Sequence, residues 1–592
     1  MTAPARRFLY LLCFLALAAL LNAAAWWYPN RPLPYGNTAV GQPVGQVKSV
    51  SFAPFKRGQS PLTKVYPTRE EIAEDLNAVR AVARGVRTYT SREGLEAVPE
   101  LAGRYGLEVT HSAWLGQLPN VNEEEVEALI DQANRYPDTI KRVIVGNEVL
   151  LRKDLTVDQL ISYIRRVKAA VKQPVSYADV WEFWLRNPQL LDEVDFVTVH
   201  FLPYWEDVPI AVDHSMPHIL DVYNIVQAKL PGKPILIGEV GWPSLGRSRR
   251  EAVPTRHEAA SFISDFIRLA EAKQLDYNLV EAFDQPWKVA LEGTVGGAWG
   301  LLDELRHPKY DADGKLSELP NWSIYAALAS LIGLILAVLQ ATRLISLPPL
   351  RMFAAVLLVQ AAGAALAACV EHGVSYNFST LRFSEFLIML ALQSIFALLL
   401  FSEVLDRLSG KEAPRAAFIG LGQRLRELKS FAPLYLPLGN HTVGEAKLAE
   451  YRQLYRVRLG EWLFAAFALY ALYQNLMLAI AGRYRDFPID YALLPIAGFL
   501  LLAVFGAASR GSSLATGFAL PDKTAESPIT LRCEAILAWL LLCSAVMVVL
   551  IERPSNREGL AWALISAAYA LPLLGNLRLL ARDGIARLAA AR

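Results

Sequence analysis

Hydrophobic and polar positions alternate in three different ways along the chain. Residues 8–28, FLYLLCFLALAALLNAAAWWY, carry about 20 apolar positions in a row without a charge, enough for one helix across a bilayer. Residues 29–46 are rich in Pro and Gly and show little periodicity, which predicts a linker. From 47 to 305 short β-branched runs alternate with amphipathic helical segments. After Pro320 the pattern changes again. Apolar stretches recur near 322–342, 350–370, 382–402, 460–481, 488–508, 533–551 and 560–579. Each predicts a membrane-spanning helix, about seven in all, or eight with the first.

The polar segment contains eight strand candidates: 47–54, 85–90, 107–114, 142–148, 175–180, 195–201, 234–240 and 277–283. Amphipathic helices fit between several of them. This is the grammar of an α/β protein with a (β/α)8 TIM barrel, followed by an all-α multi-pass transmembrane helical region. A doubly wound sheet is the rival, but its Gly-rich phosphate loop is missing: the first strand runs into Ala53-Pro54-Phe55-Lys56-Arg57-Gly58. The expected organisation is an anchor at 1–28, a linker at 29–46, the barrel at 47–310 and a membrane domain at 320–592 with a cytoplasmic loop near 403–459.

Charge refines this layout. Lys+Arg 59 against Asp+Glu 57 leaves a net charge of +2, which argues against a nucleic-acid partner. Arg6 and Arg7 precede the first apolar run, and the 403–459 loop holds Arg407, Lys411, Arg415, Arg424, Arg426 and Lys429. The positive-inside rule then sets both termini in the cytoplasm and the barrel outside. Arg483, Arg485, Arg553 and Arg557 run against that bias. A cleaved signal peptide ending at Ala23-Ala24-Ala25 competes with an uncleaved anchor. The four cysteines, Cys13, Cys369, Cys533 and Cys543, all fall in predicted spans, so the barrel has neither a disulfide nor a Cys-based zinc site.

In such a barrel chemistry sits at the C-terminal ends of strands. Two of those ends carry a carboxylate, Gly146-Asn147-Glu148 and Gly238-Glu239-Val240. They lie about three β/α units apart, so the two can face each other across the mouth. Opposed carboxylates suit glycoside hydrolysis, one protonating the leaving oxygen and the other attacking the anomeric carbon. Arg87 and Tyr89, at the end of the second strand, and Tyr204 are candidate donors to an ionised carboxylate. Trp114, Trp181, Trp184, Tyr204, Trp205, Trp242 and Trp287 fall near strand ends and predict a sugar-stacking cleft, Trp242 and Trp287 foremost. His111 and His200 read as hydrogen-bonding core residues, with no metal cluster and no cofactor motif.

The stretch 47–305 resembles glycoside hydrolase family 17, the β-1,3-glucanase and glucanosyltransferase barrels. The resemblance rests on VIVGNE (143–148), PILIGEVGWPS (234–244), EAFDQPWK (281–288) and GGAWGLLD (296–303). It implies Glu148 as general acid/base, Glu239 as nucleophile, retention of configuration, and Asn147 on the sugar 2-hydroxyl. It also implies electrostatic support from Glu281 and Lys288. An acid/base of this kind is expected to have a raised pKa. One departure stands out. Where family members often read Asn-x-Tyr-Pro-Tyr, this chain reads His200-Phe201-Leu202-Pro203-Tyr204, so His200 and Tyr204 are the expected substitutes on that side.

The barrel with its polytopic region further resembles bacterial membrane proteins that remodel β-glucan, including the rhizobial β-1,6-glucan synthase. The resulting expectation is a retaining enzyme that hydrolyses or transfers β-1,3-glucan, with β-1,6 linkages among the products. Its site would be the bacterial inner membrane, with the barrel in the periplasm. Expected partners are β-glucan, the lipid bilayer, and a glucan synthase or export complex. A non-catalytic glucan-binding module, or an accessory domain of such a complex, is the alternative.

Overall fold

Strands covered on both faces need buried side chains along their whole length, and the short β-branched runs supply them. In the computed structural model, β1 (Val50–Ser51), β2 (Gly85–Arg87), β3 (Glu108–Ala113), β4 (Ile140–Asn147), β5 (Val175–Val180), β6 (Val197–Phe201), β7 (Ile235–Val240) and β8 (Asp276–Leu279) form a closed parallel barrel in that order. The barrel closes where Val50 of β1 pairs with Leu279 of β8. All eight expected strands are present. The structure describes residues 3–35, 46–310, 314–376, 379–410, 445–510 and 528–590. They divide into two units: Arg31–Glu318 with Arg483–Asp486, and Met1–Asn30 with Leu319–Gly482 and Phe487–Arg592.

The helices around the barrel start where their caps dictate. Thr68 and Thr156 each accept from the backbone N–H three residues on, while Glu71 and Gln159 reach back to the cap N–H. These reciprocal bonds satisfy donors that would otherwise be orphaned. Helix Val157–Ala170 then buries Leu160, Ile164 and Val167, a single stripe at helical spacing. Within the segment read as a linker, Leu33–Pro34 pair antiparallel with Lys315–Leu316. The segment Arg483–Asp486 is part of the barrel unit, where Asp486 accepts from the Thr294 hydroxyl at 2.6 Å.

Three irregularities in the barrel ladder bear on function. The register shifts between Ile144 and Asn147 in the β4–β5 pair, between Val199 and His200 in β6–β7, and between Ile237 and Val240 in β7–β8. Each lies at a C-terminal strand end. A bulge re-aims the side chains beyond it, and here those are Asn147, His200 and Glu239. Gly146 supports the first with φ +85°. Gly238 supports the others by its size: a Cβ there would stand 2.4 Å from the Thr198 methyl and 3.2 Å from the Arg87 guanidinium.

The other unit is helical. Six of its helices are long and apolar enough to cross a membrane: Pro4–Trp27, Trp322–Leu339, Pro349–Ser375, Thr380–Leu408, Leu459–Ile480 and Cys533–Glu552. The stretch expected at 488–508 is the shorter apolar helix Asp490–Phe505. The one expected at 560–579 falls on helix Arg557–Ala590, whose side chains are described only as far as Leu574. Of the basic loop, residues 411–444 lie outside the described residues. Polar side chains inside this unit pair with one another: Asn22 with Gln360 at 2.7 Å, and Asn475 with Ser544 and Ser566 at 3.1 and 2.9 Å.

The Gly238 contact yields a test. Gly238→Ala should destabilise the protein by about 1–3 kcal/mol through overpacking. Adding Thr198→Ser, which removes the clashing methyl and keeps the hydroxyl, should recover most of the loss. Thermal unfolding of the full chain in detergent measures both.

Candidate active site

Glu148 follows directly on β4 and holds a left-handed backbone, φ +52°. A non-glycine residue there costs of order 1–3 kcal/mol and persists only where surrounding contacts fix it. That conformation and the β4 bulge turn its carboxylate into the barrel mouth. Glu239 comes from β7 and is nearly buried. The two carboxylates and the imidazole of His200 each present one atom, and these three atoms lie within 4.8 Å of one another.

A buried arginine organises the group. The Arg87 side chain, wholly buried at the end of β2, donates to Asn147 Oδ1 at 2.5 Å, to the Gly238 carbonyl at 2.8 Å and to Glu239 Oε1 at 3.3 Å. Its Nη1 also stands 3.4 Å from His200 Nε2. His200, equally buried, places Nδ1 2.8 Å from Glu148 Oε1 and Nε2 3.7 Å from Glu239 Oε1. The expected residues Arg87, Asn147, Glu148, His200 and Glu239 therefore converge.

Glu281 and Lys288 form the next layer. Lys288 Nζ donates to both Glu281 oxygens at 2.9 and 3.0 Å. Burial pushes the Glu281 carboxyl up to about 7, against the pull of Lys288. Burial works against the Lys288 ammonium, but the charges of Glu281 and Glu292 outweigh it and hold it above its ordinary value. Glu148 behaves differently from expectation. Burial pushes it up, but the hydrogen bond and charge of His200, then Arg152 and Arg87, outweigh that and hold it below the usual carboxylate value. The expectation of a raised value followed from the acid/base role and took no account of the imidazole.

Other expected residues land elsewhere. Tyr204 is fully buried and its hydroxyl donates to the Arg247 carbonyl at 2.6 Å. Trp242 is 1% exposed, donates to the Val253 carbonyl and stacks on Phe262. Neither ring offers a face to a sugar, because each packs inside the barrel wall. Trp184 is buried as well. The Tyr89 hydroxyl donates to Ser51 at 2.8 Å rather than to Glu239. Trp287 keeps part of its ring exposed, held by a bond from its Nε1 to Gln285. Trp114, Trp181 and Trp205 are likewise partly exposed, and Trp114 has the Arg152 guanidinium 4.2 Å from its ring centre.

Three contributors were missed. Asp179, near the end of β5, has its carboxyl pushed up to about 6 by burial and then by the Glu148 charge. The strand-end rule that found Glu148 applies equally to it. Arg152 donates to the carbonyls of Asn147 and Leu115. Glu292, raised by burial and by the charges of Glu148 and Glu239, faces the same pair. Among the described residues, Glu148, His200 and Glu239 form the one cluster of three donors able to converge on a cation. The Arg87 charge beside Glu239 opposes one. The cavity of about 850 Å³ near Lys48, Arg84 and Arg142 lies at the strand starts, away from this chemistry.

A family model described as the BtgE/BtgC glycoside hydrolase domain matches residues 49–300. The chain is 28% identical over 284 residues to "Probable glucan endo-1,3-beta-glucosidase btgC" of Aspergillus terreus, covering 42% of this chain and 43% of that protein. It is 30% identical over 216 residues to "Glucan 1,3-beta-glucosidase" of Schizosaccharomyces pombe, covering 34% and 67%. It thus spans about two fifths of the first of these relatives. A solved glycoside hydrolase family 17 β-1,3-glucanosyltransferase from Rhizomucor miehei aligns with a TM-score of 0.40 at 24% identity, covering 44% of this chain and 95% of that one.

The Glu281–Lys288 pair generates a pH test. Because Glu281 titrates near 7 in the fold, above a free carboxylate, its contribution to stability is present at acid pH and is lost as pH rises toward 7. Lys288→Met removes the cation that holds it down. The variant should match wild type near pH 5, where Glu281 is neutral. At pH 8 it should fall behind by about 3 kcal/mol, the scale for breaking a buried pair. Melting temperatures at the two pH values check this.

Proposed function

The chain belongs, through its barrel, to the BtgE/BtgC glycoside hydrolase family, and on that footing we propose that it is a retaining β-glucan glycosidase and transglycosylase acting on β-1,3-glucan. The observation that carries the mechanism is the approach of the two carboxylates, with an oxygen of each within 4.8 Å. Retaining enzymes hold their carboxyl groups about 5–5.5 Å apart, while inverting enzymes leave about 6.5–9.5 Å for a water between them. Glu239, beside the Arg87 guanidinium, is the nucleophile. Glu148 is the acid and then the base.

The reaction has two halves. Glu239 attacks the anomeric carbon as Glu148 protonates the departing glycosidic oxygen, leaving a glycosyl ester on Glu239. Glu148 then takes a proton from an acceptor hydroxyl, whose oxygen displaces Glu239. Water as acceptor gives hydrolysis, and a glucan hydroxyl gives transfer. A 6-hydroxyl acceptor would form β-1,6 branches using the energy of the bond just broken. Trp114 and Trp287, partly exposed near the strand ends, are the stacking platforms of this reading. Asn147, held by Arg87, binds the sugar 2-hydroxyl in this reading.

The apolar helices support membrane anchoring. Arg6 and Arg7 before the first span, and the basic residues after Leu408, support cytoplasmic termini and a barrel facing the periplasm of a bacterial inner membrane.

Laminari-oligosaccharides given to the full chain in detergent test the reading. Products longer than the substrate indicate transfer, 6-linked residues among them indicate branching, and shorter products alone indicate hydrolysis. Glu239→Gln should abolish all of these. Glu148→Gln should slow turnover by ~10²–10⁴-fold, and far less when 2,4-dinitrophenolate, which leaves unprotonated, is the leaving group. Unchanged turnover in Glu239→Gln would defeat the proposal.

A further inference from the structure

His200 occupies an unusual place. Its ring is fully buried, yet each nitrogen faces a carboxylate of the catalytic pair: Nδ1 stands 2.8 Å from Glu148 Oε1, and Nε2 stands 3.7 Å from Glu239 Oε1. The β6–β7 register shift, which falls just before it, aims it there. The small residue Gly238 lies under its edge, with an added Cβ placed 3.3 Å from His200 Cδ2. Arg87 Nη1 stands 3.4 Å from Nε2 and donates past the ring, to the Gly238 carbonyl at 2.8 Å and to Glu239 Oε1 at 3.3 Å. An asparagine, as in the sequence pattern from which this chain departs, could hydrogen-bond here but could not take up a proton. An imidazole can.

We propose that His200 is a positioning residue that holds the proton Glu148 delivers. This inference rests on Glu148 being the acid/base. Before the first half-reaction the ring carries protons on both nitrogens, Nδ1–H donating to the Glu148 carboxylate and Nε2–H directed at the Glu239 carboxylate. As the glycosidic C–O bond breaks, the Nδ1 proton passes to Glu148 and from Glu148 to the leaving oxygen, while Glu239 forms its bond to the anomeric carbon. The ring is left neutral with its proton on Nε2. In the second half the acceptor O–H proton passes to Glu148 and on to Nδ1. The acceptor oxygen bonds to the anomeric carbon, and Glu239 leaves as a carboxylate. Each proton given out is recovered, and no other reactant is needed.

The arrangement also explains how Glu148 can be a good carboxylate in the resting site and still act as an acid: the pair, not the carboxyl alone, binds the proton. The charged and titratable groups around it are Glu148 beyond β4, Arg152, Asp179 on β5, Glu239 on β7, Arg87 on β2, and Lys288 and Glu292 beyond β8. A free imidazole keeps its proton about two pH units higher than a free carboxylate. The pair should therefore sustain activity to higher pH than Glu148 would on its own.

The test is the pH profile of kcat/KM for the full-length His200→Asn and His200→Gln variants on a β-1,3-oligosaccharide and on a matching 2,4-dinitrophenyl glycoside. The alkaline limb on the oligosaccharide should move down by at least one pH unit in either variant. At pH 7 the oligosaccharide rate should fall at least tenfold more than the dinitrophenyl rate. Either variant suffices if the other fails to fold. An alkaline limb that stays in place, or equal losses on both substrates, overturns the role of His200. Glu148→Gln is the separating control. If it shows leaving-group dependence while the histidine variants do not, His200 alone is misassigned. If Glu148→Gln shows none, the acid/base assignment fails and this inference falls with it.

Discussion

A guanidinium buried without partners would cost several kcal/mol, and in this barrel the constraint falls on Arg87. Its solution defines the site. The side chain reaches from the end of β2 across the mouth to the ends of β4 and β7, and touches the imidazole on β6. Its two Nη groups thus bring Asn147, Glu239 and His200 to a common point, while its buried Nε has no partner among the described residues, and His200 ties in Glu148. Preorganised charge of this kind does not need to reorient as the reaction proceeds. The wall holding it is rigid because its strands are buried on both faces.

The ladder shifts register at four places, once near the start of β3 and three times at C-terminal strand ends. Its three shifts at the C-terminal ends each precede a residue of the site. Straight strands alternate their side chains between barrel interior and outer layer. A displaced register lets Gly238 pass under Arg87 and His200 while Glu239 still points inward. The left-handed backbone of Glu148 is a further local cost accepted for placement.

Much of this was legible in the sequence, for identifiable reasons. Eight β-branched runs with helical spacers specify a barrel because burial on both faces leaves little choice of residue. Glu148 and Glu239 stood out as carboxylates at strand ends. Tyr204 and Trp242 misled because a strand-end position says nothing of which way a ring turns: both turn inward, each with its polar atom bonded to a backbone carbonyl. His200 read as a hydrogen-bonding core residue, which is correct for its burial. Its two carboxylate neighbours come from other strands and appear only on folding. The lowered titration of Glu148 was hidden for the same reason. In the helical unit, long apolar runs were plain, but the pairing of Asn475 with serines from two other helices has no signature in the sequence.

The central claim is that Glu148 and Glu239 stand close enough for a double displacement. Proton NMR of the anomeric signals, recorded in the first minutes of hydrolysis of a β-1,3-oligosaccharide by the wild-type protein, tests it most directly. The account predicts that the newly formed reducing end appears first as the β-anomer and only later mutarotates toward equilibrium. Initial appearance of the α-anomer would mean single displacement by water, and would contradict both the nucleophilic role of Glu239 and the geometry on which it rests.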